Sequence, residues 1–95
     1  MNDSSGSAGS DRQRECVQWF AAHMAKKLRE NDHKPGWFRD SHFALLRRLR
    51  EEVEELAEAT MAQDSSDQIV KEAADVANFA MMIADNARRN AASAP

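Results

Sequence analysis

RRLREEVEELAEATMAQDSSDQIVKEAADVANFAMMIADN, residues 47–86, decides how this chain folds. It holds two carboxylate pairs, Glu52 with Glu55 and Glu72 with Asp75, each spaced i, i+3. On a helix that spacing sets two side chains on one face, one turn apart. Between the pairs lies a polar turn at Ala62 to Ser66, so the flanking helices are expected to fold back antiparallel. Counting outward from the turn brings Glu52 level with Asp75 and Glu55 level with Glu72. Four carboxylates converging across one hairpin repel one another unless a cation sits among them. The usual occupant of an all-oxygen site is Mg²⁺, with Mn²⁺ as the alternative. The expected fold is all-α, with three helices per chain and a central antiparallel helical hairpin.

The apolar pattern around the pairs sharpens this. The helix before the turn has Asp40 or Ser41 as N-cap and runs to about Ala62. Its apolar stripe is Leu45, Leu49, Val53, Leu56 and Thr60, and Glu52 projects between Leu45 and Leu56, inside that stripe. A carboxylate there costs several kcal/mol to bury unless it is paired, neutralised or bound to metal. Glu51, Glu54 and Glu58 fall on the opposite face, where solubility and pairing with Arg47 and Arg50 account for them. After the turn, Ser65 and Gln68 have the spacing of a capping box, and the next helix runs to about Arg89. Ile69, Ala73, Val76, Ala80, Ile83 and Ala87 form its stripe, with Phe79 and Met82 off it, beside Glu72 and Asp75. Apolar on two sides, this helix is expected to pack within the chain on one side and against a second subunit on the other. The plain alternative is a solvated groove in which Glu52 and Glu55 pair with Arg48 or Lys71 while Asp75 meets water.

Upstream, NDHKPGWFR (31–39) breaks the chain with a Pro-Gly turn and presents Trp37 and Phe38 beside Lys34 and Arg39. These aromatics either plug the end of a small core or, with Lys34 or Arg39 on a phosphate, stack on a base. Val17, Phe20, Met24 and Leu28 recur at helical spacing before it, and Ser10 with Gln13 reads as a capping box. The first helix is therefore expected from about Asp11 to Glu30. His23 reads as a packing or surface histidine, and Cys16 as a small buried residue. Residues 1–10 read as a disordered tail, residues 11–90 as one domain, and residues 91–95 as a frayed end.

With 95 residues, 42% hydrophobic and 31% charged and only three glycines and two prolines, the composition suits helices and gives strands little support. A chain this small buries roughly 60 to 65% of its unfolded surface, so its own core is thin. The net charge of −3, with acids massed in the middle, lacks the basic footprint of a duplex-binding protein and makes a nucleic-acid polymer an unsuitable partner. A single cysteine, no signal peptide and no apolar run that spans a bilayer suggest a soluble, cytoplasmic protein without membrane contact.

LREEVEELAEA (49–59) followed by EAADVANFAMMIADN (72–86) resembles the MazG-like nucleoside triphosphate pyrophosphohydrolases of the all-α superfamily, and NDHKPGW (31–37) is similar to the loop of its short members. The resemblance covers about residues 24–86. It implies that Glu52, Glu55, Glu72 and Asp75 bind Mg²⁺. It also implies that a nucleoside triphosphate is hydrolysed between its α and β phosphates, and that dimers or tetramers form, in which four-helix-bundle-like units assemble from more than one chain. Glu51 or Glu55 is then the candidate acceptor of the water's proton, with Glu52 in the catalytic set; Lys34, Arg39 and Lys71 are candidates for the phosphates. Trp37 would stack on the base or close a pocket; Asn78 would hydrogen-bond the sugar or base, or else bond across a helix interface. Phosphoribosyl-ATP pyrophosphohydrolase ranks second among enzymes, because the loop and VANFAMMIADN look less like it, and all-α dUTPases rank third. The competing class is a helical regulatory or oligomerisation module without catalysis.

Overall fold

A computed structural model describes the backbone of residues 2–93 and the side chains of residues 9–92. It contains three helices, α1 (Asn2–Glu30), α2 (His42–Met61) and α3 (Ser66–Ser93), and no strand among the described residues. The all-α expectation is met. Among the described residues no helix is long and apolar enough to cross a membrane.

The helix ends follow local chemistry. Ser41 is the N-cap of α2, its extended backbone letting the hydroxyl accept from the Ala44 N–H at 3.1 Å. At the other end the Gln63 N–H reaches the Thr60 carbonyl at 3.1 Å and the Asp64 N–H the Ala59 carbonyl at 3.0 Å. This is a Schellman closure, and it holds Gln63 in the left-handed region at φ 55°. Ser65 caps α3 through the Gln68 N–H at 3.2 Å, but the Gln68 side chain turns forward to Glu72 at 2.8 Å, so the reciprocal half of the expected box is not made. α1 begins at Asn2 rather than at Asp11, so Ser10 lies inside the helix and caps nothing. The stretch read as a disordered tail carries helix, because extending an existing helix costs far less than nucleating one. Residues 91–93, expected to fray, belong to α3, and residues 94–95 lie outside the described residues.

α3 packs against both α2 and α1, whereas α1 and α2 do not approach each other. α2 and α1 of the same chain thus both meet α3, whose apolar residues Val76, Phe79, Met82 and Ile83 stay half-buried. The buried face of α2 runs through Leu45, Glu52 and Ala59, with Leu49 and Leu56 half-buried between them. That stripe is turned by one position from the one expected: Val53 is 45% exposed and Thr60 is exposed. Burying Ala59 and Glu52 instead lets the small alanine admit α3 closely.

Among the described residues the buried apolar ones are Leu45, Ala59 and Ala74, so the core is small. The radius of gyration, 16.4 Å, exceeds the roughly 12 Å of a tightly packed chain of this length, in keeping with long helices that leave apolar surface uncovered. His23 packs edge-on to Trp19 at 4.7 Å between ring centroids, as a surface histidine. Cys16 is exposed, not buried, as are all residues of α1 from Asp11 to Trp19.

Candidate active site

The hairpin brings the acids together as their spacing requires. One carboxylate oxygen each from Glu52 and Glu55 of α2 and Glu72 of α3 lie within 4.8 Å of one another. Glu52 is buried, and that burial, followed by the charge of Glu55, a hydrogen bond with Glu55 and the charge of Asp75, pushes its carboxyl up to about 7. Arg48, whose Nη2 lies 3.7 Å from Glu52 Oε2, opposes the rise. Glu72 is steadied by the Gln68 amide. Asp75 stands beside this trio rather than within it: Lys27 of α1 approaches its Oδ2 at 3.5 Å. Burial raises the Asp75 carboxyl above its ordinary range, Lys27 pulls it back, and Glu72 and Glu55 add to the rise.

A pocket of about 820 Å³ opens beside the cluster. Glu52, Glu55 and Asp75 line its acidic side, and Lys27, Lys34 and Arg48 supply three cations around it. Trp37, Phe79 and Met82 provide apolar wall. Of the residues singled out from sequence, Lys34, Trp37 and Asn78 line this pocket, whereas Arg39 and Lys71 are exposed and do not. Glu51 is also exposed, and Arg48 Nη1 holds it at 3.2 Å outside the acid cluster. The Asn78 amide donates to the Met24 carbonyl of α1 at 3.1 Å, a bond across a helix interface, while its buried Oδ1 has no partner.

The sequence reading did not single out Lys27, Asp85 or Asn86. Lys27 lies in the last turn of α1, and Asn31 and Lys34 of the turn that follows line the pocket with it. Asp85 and Asn86 are buried on α3 and reach back to the loop before α2. Sequence showed only the pairing of Asp85 with Arg89 at i, i+4, since the loop partners lie 46 to 49 residues away.

Residues 17–88 match the family model described as phosphoribosyl-ATP pyrophosphohydrolase. The chain belongs to that family. As a phosphoribosyl-ATP pyrophosphohydrolase family member it falls within the MazG-like all-α superfamily that the acid motifs resemble, and it is an enzyme acting on phosphoric anhydride bonds. The family matched is the one that the resemblance ranked second. No curated protein sequence and no solved structure was found to match the chain. In this family member the donor set suits a hard divalent cation: three carboxylate oxygens within 4.8 Å, one of them on a glutamate whose carboxyl burial and neighbouring acids push up to about 7. The cluster could therefore hold a metal ion.

Proposed function

We propose that this protein hydrolyses the bond between the α and β phosphates of a nucleoside triphosphate, releasing a nucleoside monophosphate and pyrophosphate. The observation that carries the reading is the apposition of the Glu52, Glu55 and Glu72 carboxylates at the edge of a pocket faced by three cations. Mg²⁺, or Mn²⁺ in its place, would be held by these three residues, with Asp75 completing the set once Lys27 yields it. Bound there, the ion would neutralise phosphate charge and lower the pKa of water.

The chain's own groups divide the remaining work. Lys27, Lys34 and Arg48 bind the phosphate chain and orient its α phosphorus toward the acids. Glu55 faces the pocket and is open to solvent, so it is the carboxylate best placed to accept a proton from the attacking water. Trp37 and Phe79 offer flat surfaces for a base. Arg39 and Lys71 would serve only at the outer end of the phosphates, and Glu51 only by steering Arg48.

A second reading, phosphoribosyl-ATP as substrate, is favoured by the family match and uses the same bond and the same acids. A pocket of about 820 Å³ lies within the range of small-molecule sites and leaves room for a substrate larger than a simple nucleotide. We place the protein in the cytoplasm as a homodimer or homotetramer, since large apolar side chains of α2 remain uncovered in the single chain. The test is pyrophosphate release, with Mg²⁺, from a panel of canonical and damaged nucleoside triphosphates and phosphoribosyl-ATP. Release of pyrophosphate from one of them supports the reading. Orthophosphate alone sinks it, and no turnover together with a melting temperature indifferent to Mg²⁺ and Mn²⁺ leaves a non-catalytic helical module.

A further inference from the structure

The loop joining α1 to α2 forms one wall of the pocket through Lys34, Pro35, Gly36 and Trp37. Its own backbone bonds are few and local, among them the Lys34 N–H to the Asn31 carbonyl at 2.9 Å and the Asp40 N–H to the Trp37 carbonyl at 3.0 Å. A loop so loosely self-bonded needs outside contacts to hold a fixed shape. Two consecutive residues of α3 supply them. The Asn86 amide donates to the Trp37 carbonyl at 3.0 Å and to the Asp40 carbonyl at 3.3 Å. The Asp85 carboxylate takes the Trp37 indole N–H on Oδ2 at 3.0 Å.

Asp85 is 7% exposed, and a buried carboxylate needs partners for both oxygens. Its Oδ1 accepts from Arg88 at 2.8 Å, and its Oδ2 is shared by Trp37 and by Arg89 at 2.9 Å. The indole bond, with the two arginines, holds the carboxyl below its ordinary range despite burial, so it stays an anionic acceptor at neutral pH. Arg89 in turn lies over the Phe38 ring at 4.1 Å, which ties the next loop residue to the same point. Nothing in the acid chemistry uses this cluster. Asp85 sits ten residues beyond Asp75 on α3, roughly 15 Å along the helix, too far to touch the acids.

We propose that Asp85 is a positioning residue that sets the plane of Trp37 and thereby the pocket's grip on the base of a nucleotide substrate. The inference rests on the nucleotide reading for its substrate, but the Asp85 to Trp37 linkage stands apart from it. An indole fixed at its N–H by a buried anion presents one ring face at a set angle, which is what stacking on a base requires. Losing that anchor frees the ring about its side-chain torsions and weakens substrate capture without touching the acids that act on the phosphates.

The test uses the full chain in a Trp19→Phe background, since Trp19 is half-exposed on α1 and away from the pocket, leaving Trp37 as the fluorophore. Without any substrate, Asp85→Ala should raise the acrylamide quenching constant of Trp37 about threefold, while Asp85→Asn, which keeps an acceptor oxygen for the indole, should stay near the parent. With the substrate found in the panel, Asp85→Ala should raise KM about tenfold and change kcat less than threefold. Trp37→Phe should mimic that rise, and adding Asp85→Ala to it should change KM less than twofold further. Should Asp85→Ala fail to fold by circular dichroism, Asp85→Ser, whose hydroxyl is too short to reach the indole, replaces it in the same comparisons. The proposal is overturned by unchanged Trp37 quenching in Asp85→Ala, by an unchanged KM in Trp37→Phe, or by an equally large Asp85→Ala effect when the indole is already gone. If the parent turns over nothing in the panel, the nucleotide reading fails, and the quenching result alone decides the linkage.

Discussion

Lys27 Nζ lies 3.5 Å from Asp75 Oδ2 and 3.7 Å from Glu30 Oε1, so a cation from α1 occupies the carboxylate that the hairpin alone would offer to a metal. This contact explains why Glu52, Glu55 and Glu72 form a trio with Asp75 to one side. It also makes α1 part of the site, although neither acid motif lies on it. Removing the lysine charge frees Asp75 and makes the cluster more negative. An ion pair at this distance near a surface is worth on the order of 1 kcal/mol, about a fivefold change in an equilibrium constant. Lys27→Met should therefore tighten Mg²⁺ binding by about that factor in a calorimetric titration without nucleotide, while raising KM in the pyrophosphate assay. Weaker metal binding in this variant would contradict the assignment of Asp75 to the metal set.

Glu52 gives a pH dependence whose sign is fixed by its environment. Its carboxyl rises from 4.5 to about 7 on folding, chiefly through burial, so the fold holds the proton more tightly than the unfolded chain does. Its stabilising contribution is full below about pH 4.5 and is lost as pH climbs through about 7. The loss amounts to on the order of 3 kcal/mol at most, and urea unfolding of metal-free protein between pH 5 and about 8 should register part of it. Glu52→Gln keeps the shape without the charge and should flatten that profile, leaving the protein more stable than the parent above pH 7. The same variant should lose about 100-fold or more in pyrophosphate release. Mg²⁺ at 100 times its dissociation constant should restore about 2.7 kcal/mol to the parent and little to the variant. A variant that is active, or that keeps the slope of the parent, excludes Glu52 from the site.

What was legible in the sequence was what repeats locally. The i, i+3 pairs and the polar turn were enough to bring Glu52, Glu55 and Glu72 together, because a hairpin of two regular helices fixes which residues lie level. The N-cap at Ser41 and the bond from the Gln68 N–H to Ser65 follow from side chains three residues from their partners. Which residues flank a helix stripe was less legible: Val53 and Glu52 differ by 100° around α2, and the choice between them depends on where α3 arrives. Lys27 on Asp75, Trp37 on Asp85 and Asn78 on Met24 join residues 48 or more apart, and no periodicity within one helix encodes them. Phe79 and Met82 are half-buried and line the pocket, and α1 also meets α3, a packing that the stripe of α1 alone does not specify.

Gln63 is strained where the hairpin turns. At φ 55° a side chain crowds the following carbonyl, at a cost of about 1 kcal/mol that glycine does not incur. Part of the gain from a glycine is offset by the greater freedom of the unfolded chain. Gln63→Gly should therefore raise unfolding free energy by about 0.5 kcal/mol, seen as a higher urea midpoint at unchanged slope, with pyrophosphate release unaltered. A lower midpoint would mean that the Gln63 side chain makes a contact that outweighs its backbone strain.

Uncovered apolar surface on α2 bears on self-association. Phe43 is 86% exposed, Met61 84%, Val53 45% and Leu46 38%, and all four fall within one side of the helix. That side points away from the buried line of Leu45, Glu52 and Ala59, so packing a second chain there would leave the acids and the pocket open. A chain with so small a core gains most from burying such a stripe, at roughly 1.5 to 3 kcal/mol for each large side chain. Sedimentation equilibrium should then show a dimer or tetramer, and Leu46→Lys with Val53→Lys should weaken it by roughly 100-fold in dissociation constant. Helicity should survive in the double variant, because both positions are already open to water in the single chain. If instead the parent sediments as a monomer independent of concentration, the stripe serves no second copy.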